Sequence, residues 1–137
     1  MYGFLLQDWT TIRFANTVTT VTQSEANWVS LQPYQDIVFF LEVREVTLGS
    51  GVTAVTLDYQ TAPMKDEALF VNMVTGSGLI VSSPSVSPIV NKVLLASATV
   101  PLARWVRWKL TTTGTPTTLS DVTFRLTCAA NAVSSLA

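Results

Sequence analysis

From residue 36 to residue 46 the side chains alternate without a break, with Ile37, Phe39, Leu41 and Val43 on one face and Val38, Phe40, Glu42 and Arg44 on the other. A period of two is that of a β-strand, whose successive side chains point to opposite sides of a sheet. The first face is wholly apolar and belongs against a core. The second begins apolar at Val38 and Phe40 and turns charged at Glu42, as in a strand whose first half is covered by another segment or a neighbouring subunit.

The same period recurs along the chain. In residues 52–61 it groups Val55, Leu57 and Tyr59; in 105–112 it sets Val106, Trp108 and Leu110 against Trp105, Arg107 and Lys109; in 122–129 it sets Val122, Phe124, Leu126 and Cys128 against Thr123, Arg125 and Thr127. Shorter strands are expected at 69–74 and 89–97, and the β-branched run at 17–22 has strand composition. Gly49-Ser50-Gly51 predicts a hairpin joining 36–46 to 52–61, since glycine reaches positive φ freely. Residues 62–67 read as an exposed charged turn and 113–116 as another. Two prolines keep 82–88 out of any central strand. Residues 24–28 are one helical turn or a loop, and no long amphipathic helix or internal repeat is present. Many short strands at near-regular spacing predict an all-β fold: an antiparallel two-sheet β-sandwich (jelly roll) with little helix. It is read as one domain over 1–137, with 1–16, 130–137 and the 82–88 loop as extended contact arms.

Only 12% of the 137 residues are charged, against roughly 25% in a typical soluble domain. Hydrophobic residues make up 48%, which excludes a disordered chain, yet no apolar run approaches the length needed to span a membrane. Covered surface is the remaining explanation, and it predicts a homo-oligomer or a particle-bound subunit. The net charge of −1, with no basic run, disfavours direct nucleic-acid binding. The first residues lack the features of a signal peptide, and no asparagine lies in a glycosylation sequon. The chain is therefore expected to be made in the cytoplasm. Cys128 is the sole cysteine, so no internal disulfide can form.

Without histidine, Ser-His-Asp and Cys-His sites cannot be assembled within one chain, and the commonest transition-metal ligand is missing. Cys128, on an inward face, reads as a buried inert thiol. Glu42 with Glu45, and Asp66 with Glu67, are the carboxylate pairs to weigh for glycoside hydrolysis; the first pair is expected on opposite strand faces and the second on an open turn, so both read as solvated charge. Asp58, Asp66 and Asp121 are the oxygen ligands to weigh for calcium, without any EF-hand spacing. No enzyme, cofactor or metal site is assigned. If 105–112 and 122–129 pair as a hairpin, Arg107, Lys109 and Arg125 form a small basic patch beside Trp105. Trp105 then serves as an interface anchor or a sugar-stacking platform, with Trp28, Val38 and Phe40 as further contact candidates.

Residues 36–44, 57–63, 103–110 and 122–126 together resemble the galactose-binding-like jelly roll, the discoidin-type sandwich, in the version found among small auxiliary proteins of tailed-phage particles. The resemblance is one of strand order and texture over about two thirds of the chain. It implies a structural virion protein: a capsid decoration or cement protein, or a head-tail component, partnered by copies of itself and by other capsid or tail proteins. A carbohydrate-binding module, with a glycan as partner, is the alternative. The sugar-binding members usually carry polar ligands on loops at one end, and no such set is matched here.

Overall fold

The computed structural model describes residues 2–81, 87–93 and 100–132. Among them, nine strands form: β1 (Tyr2–Phe14), β2 (Thr20–Thr22), β3 (Val29–Ser30), β4 (Tyr34–Thr47), β5 (Val52–Ala62), β6 (Val71–Ile80), β7 (Ile89–Val93), β8 (Trp105–Gly114) and β9 (Ser120–Ala132). Among the described residues helix is confined to two single 3₁₀ turns, Glu25–Asn27 and Glu67–Leu69. Sheet I has the order β1-β9-β4-β7; sheet II has the order β2-β8-β5-β6, with β3 also on β8. All pairings are antiparallel.

The pairings nest. β1 pairs with β9, β2 and β3 with β8, β4 with β7, and β5 with β6, so the chain is one long antiparallel ribbon folded at its middle. Rolling that ribbon brings β4 beside β9 and β5 beside β8, which closes the two sheets of a jelly roll. The expected all-β two-sheet sandwich is the fold observed.

The core lies where alternation put it. Ile37, Phe39, Leu41 and Val43 of sheet I face Val55, Leu57, Tyr59, Val106, Trp108 and Leu110 of sheet II, and Val122, Phe124, Leu126 and Cys128 are buried beside them. The Phe39 and Tyr59 rings stack across the sheets at 3.8 Å, and Trp108 meets Phe124 edge-on at 5.2 Å. One side of the sandwich is fastened by a bulge in β1. The register slips between Leu5 and Gln7, and Gln23 Nε2 donates to the Leu6 carbonyl there at 2.7 Å. Beside it, the Trp108 indole N–H donates to Gln7 Oε1 at 3.1 Å.

Several expectations about connections are corrected. Residues 36–46 and 52–61 do not form a hairpin, because β4 lies in sheet I and β5 in sheet II. The glycine turn between them bonds sideways instead: Gly49 N donates to Ser120 Oγ at 2.8 Å and Ser50 N to Thr118 Oγ1 at 2.7 Å. Thr115 N donates to the Gly51 carbonyl at 2.9 Å and Thr117 N to that of Ser50 at 2.8 Å. Gly51 has φ +84°, and a Cβ there would fall on the Thr115 carbonyl. Nor do β8 and β9 pair with each other; the 114–120 loop that joins them is the other half of this clasp. Residues 2–14, expected as part of a contact arm, are β1 at the edge of sheet I. At the other end, Ala130 to Ala132 complete β9, whereas residues 133–137 and 82–86 of the remaining expected arms lie outside the described residues.

Candidate subunit interface

The outward face of sheet I carries the half-apolar pattern seen in residues 36–46. Strand register sets Leu5, Thr127, Phe40 and Val90 in one row across all four strands, and Gly3, Ala129, Val38 and Lys92 in the next. Leu5 is 51% exposed and Val90 47%, while Phe40 and Val38 are half-buried between their neighbours. Seven uncharged residues, with Lys92 at one corner, thus make a continuous surface with no covering element among the described residues. Toward the other end of the strands the face becomes charged. Arg125 pairs with Glu42 at 2.7 Å, and Trp9 lies between two guanidinium groups, with Arg44 at 4.0 Å and Arg125 at 4.9 Å. Further along, Thr11 and Thr123 share a hydroxyl hydrogen bond at 2.8 Å, and Arg13 pairs with Asp121 at 2.8 Å. An apolar centre bordered by polar and charged groups is a pattern found at protein–protein contacts.

Of the residues singled out from sequence, Val38, Phe40 and Arg125 belong to this face. Trp9 is also on it, in bulged β1 and close to Arg125. Glu45 is also displaced: a register shift between Val43 and Glu45 sets it opposite Thr123, on the same face as Glu42 rather than the opposite one.

Arg107, Lys109 and Trp105 are on β8, in the other sheet, so the expected basic patch with Arg125 does not exist. Arg107 points outward from sheet II, as alternation requires, yet it is only 4% exposed. Two chain excursions cover it. Its guanidinium carbon is 4.1 Å from the Phe70 ring centre and 5.2 Å from that of Trp28, and these two rings meet edge-on. Its Nε donates to Gln60 Oε1 at 2.8 Å, and Nη1 pairs with the Glu67 carboxylate. Gln60 in turn donates to Asn72 Oδ1 at 2.8 Å. Trp28 is likewise buried, its indole N–H bonded to the Gln23 carbonyl at 2.9 Å. Lys109 is half-buried, in register with Asp58 and Thr22. Trp105 is half-exposed at the start of β8, with Lys65 at 5.3 Å and Arg104 at 5.6 Å from its ring centre.

The candidates for chemistry are dispersed. Asp58 is buried on sheet II, Asp66 caps its own turn by accepting from Ala68 N at 3.0 Å, and Asp121 is engaged by Arg13. Among the described residues no three Cys, Asp, Glu or His side chains gather as a metal site, and no helix is long and apolar enough to cross a membrane. Cys128 is buried, which pushes its thiol pKa up. The Tyr59 hydroxyl is pushed up by burial first and by the nearby Cys128 second, and it has no hydrogen-bond partner among the described residues. An open cleft of about 400 Å³ lies at one end of the sandwich, between Tyr2, Phe4 and Tyr34 on one side and Val29 and Leu31 on the other.

No protein-family model matches this sequence, and no curated protein does. Solved structures of similar fold come from infectious bursal disease virus. The chain is similar to a chain in the structure of the infectious bursal disease virus Gx strain, with a TM-score of 0.60 and 8% identity over 98% of this chain and 32% of that one. It is also similar to the infectious bursal disease virus VP2 subviral particle protein, with a TM-score of 0.51 and 11% identity over 94% of this chain and 31% of that one. The chain therefore spans about a third of the length of each. At these identities the likeness is one of fold.

Proposed function

We propose that the chain is a structural component of a virus particle, a capsid decoration or cement subunit or a head-tail component, which acts by packing against copies of itself and other shell proteins. It is not an enzyme in this reading. The observation that carries it is the outward face of sheet I, where apolar residues cross all four strands with no covering element among the described residues and meet a rim of Trp9, Arg44, Arg125 and Glu42. The fold likeness to the infectious bursal disease virus VP2 subviral particle protein supports it, because jelly rolls recur among viral capsid domains. The test is detection of this chain in gradient-purified particles from its source. Several copies per particle are expected, and absence from the particle band overturns the proposal.

A carbohydrate-binding module is the second reading, favoured by one observation: the half-exposed Trp105 ring with Lys65 and Arg104 beside it. Under that reading Trp105→Ala removes retention on a glycan array without altering oligomer size.

A further inference from the structure

The row geometry of sheet I is complementary to itself. Large side chains stand on β4 and β7 at Val38, Phe40 and Val90, while β9 and β1 offer Ala129, Thr127 and Gly3 in the same two rows, with Leu5 at the edge. One half of the face is a ridge and the other a shallow lane. At Gly3 the position of a missing Cβ has no atom closer than 3.9 Å, so the lane is open. Lys92 also stands on the ridge half, and one row of charge follows the division. In the row beyond Phe40 and Thr127, β4 presents Glu42 and β9 presents Arg125.

We propose that this face pairs with a second copy of the chain about a two-fold axis that runs between β4 and β9, parallel to the strands. The proposal rests on the reading of the face as a subunit contact and names the partner. Such an axis exchanges β4 with β9 and β7 with β1 while keeping each row in place. It seats Phe40 over the partner's Thr127, Val38 over the partner's Ala129 and Val90 over the partner's Leu5. It also sets Glu42 over the partner's Arg125, and the converse, so two ion pairs within chains become one four-membered network across the contact. An axis through the same apolar rows at right angles to the strands sets Glu42 over the partner's Asp36 instead, carboxylate against carboxylate. The contact is isologous and closes at two copies, with the sheets aligned as in other face-packed sandwiches.

Charge exchange tests this on the whole chain. Sedimentation velocity is expected to give twice the chain mass for the wild type and the chain mass for Glu42→Arg and for Arg125→Glu. The double exchange Glu42→Arg with Arg125→Glu is expected to restore the dimer, since each arginine again faces a glutamate. Thermal unfolding of all four proteins checks that the fold is kept, and Phe40→Asp, expected to be monomeric, repeats the test without touching the ion pair. A wild-type monomer or trimer, or a dimer indifferent to Phe40→Asp and both single exchanges, overturns the two-fold contact. The outcomes separate this inference from the structural role. A monomer that still occupies particles overturns the dimer alone, whereas a rescued dimer absent from particles supports the dimer and overturns that role.

Discussion

Gln23 on sheet II donates its side-chain amide to the Leu6 carbonyl of sheet I at 2.7 Å, using an acceptor that the β1 bulge has freed from the ladder. The same side chain accepts from Trp108 N at 3.4 Å and donates to the Asn27 carbonyl at 3.2 Å, and it is 2% exposed. Together with the Trp108–Gln7 bond, this glutamine ties the two sheets along the side where β1 and β2 lie unpaired with each other.

Replacing it with leucine keeps the volume but strands the buried Leu6 carbonyl. A loss of about 1–3 kcal/mol is expected, because an unsatisfied buried polar group bears its full desolvation cost. Urea denaturation of Gln23→Leu measures this, and unchanged stability means water reaches the Leu6 carbonyl.

Arg107 has the comparable task on the outer surface of sheet II, joining Gln60, Glu67, Phe70 and Trp28. Arg107→Ala is expected to cost about 2–4 kcal/mol, from loss of the charge-assisted bonds and of a desolvated cation–π contact. Arg107→Lys keeps the charge without the planar fork and falls in between. The midpoint of urea unfolding ranks the three proteins.

The loop clasp makes Gly51 sensitive. Alanine there meets both an unfavourable φ and the Thr115 carbonyl, so Gly51→Ala is expected to lower stability by about 1–3 kcal/mol. A thermal midpoint equal to wild type removes the clasp from the account.

Alkaline pH acts on the core. Cys128 and Tyr59 have pKa values raised by burial above their ordinary 9.0 and 10.0. The unfolded chain therefore releases these protons first, and the stability they contribute is complete below about pH 9 and declines as pH rises further. Denaturation between pH 7 and 11 checks the sign. Cys128→Ala is expected to remove the thiol's part of the slope, although the smaller side chain lowers stability at every pH.

Much of this was legible in alternation alone. The inward sets 37/39/41/43, 106/108/110 and 122/124/126/128 are the core, and the change from Phe40 to Glu42 on one strand face marked where the apolar centre of sheet I ends. Pairing partners were not legible, because Gly49-Ser50-Gly51 permits both a hairpin and a crossing between sheets, and the choice rests on Thr118 and Ser120, 68 and 71 residues away from Ser50 and Gly49. Arg107 looked exposed since alternation gives a side chain's direction and not what lies over it; Trp28 and Phe70 arrive from distant segments. Glu45 was misplaced by a bulge in β4, which shifts the two-residue period and leaves no mark in composition.

The structural role through the sheet I face is tested most directly by counting copies of the Phe40→Asp chain per purified particle by quantitative mass spectrometry, beside wild type. A buried charge in place of a central aromatic should cost at least about 2 kcal/mol, roughly thirtyfold in affinity. Occupancy is therefore expected to fall by an order of magnitude or more while the isolated variant still unfolds cooperatively, with its midpoint lowered by no more than loss of the dimer accounts for. Equal occupancy of variant and wild type would show that the particle contact lies elsewhere and that this face is not what the chain assembles through.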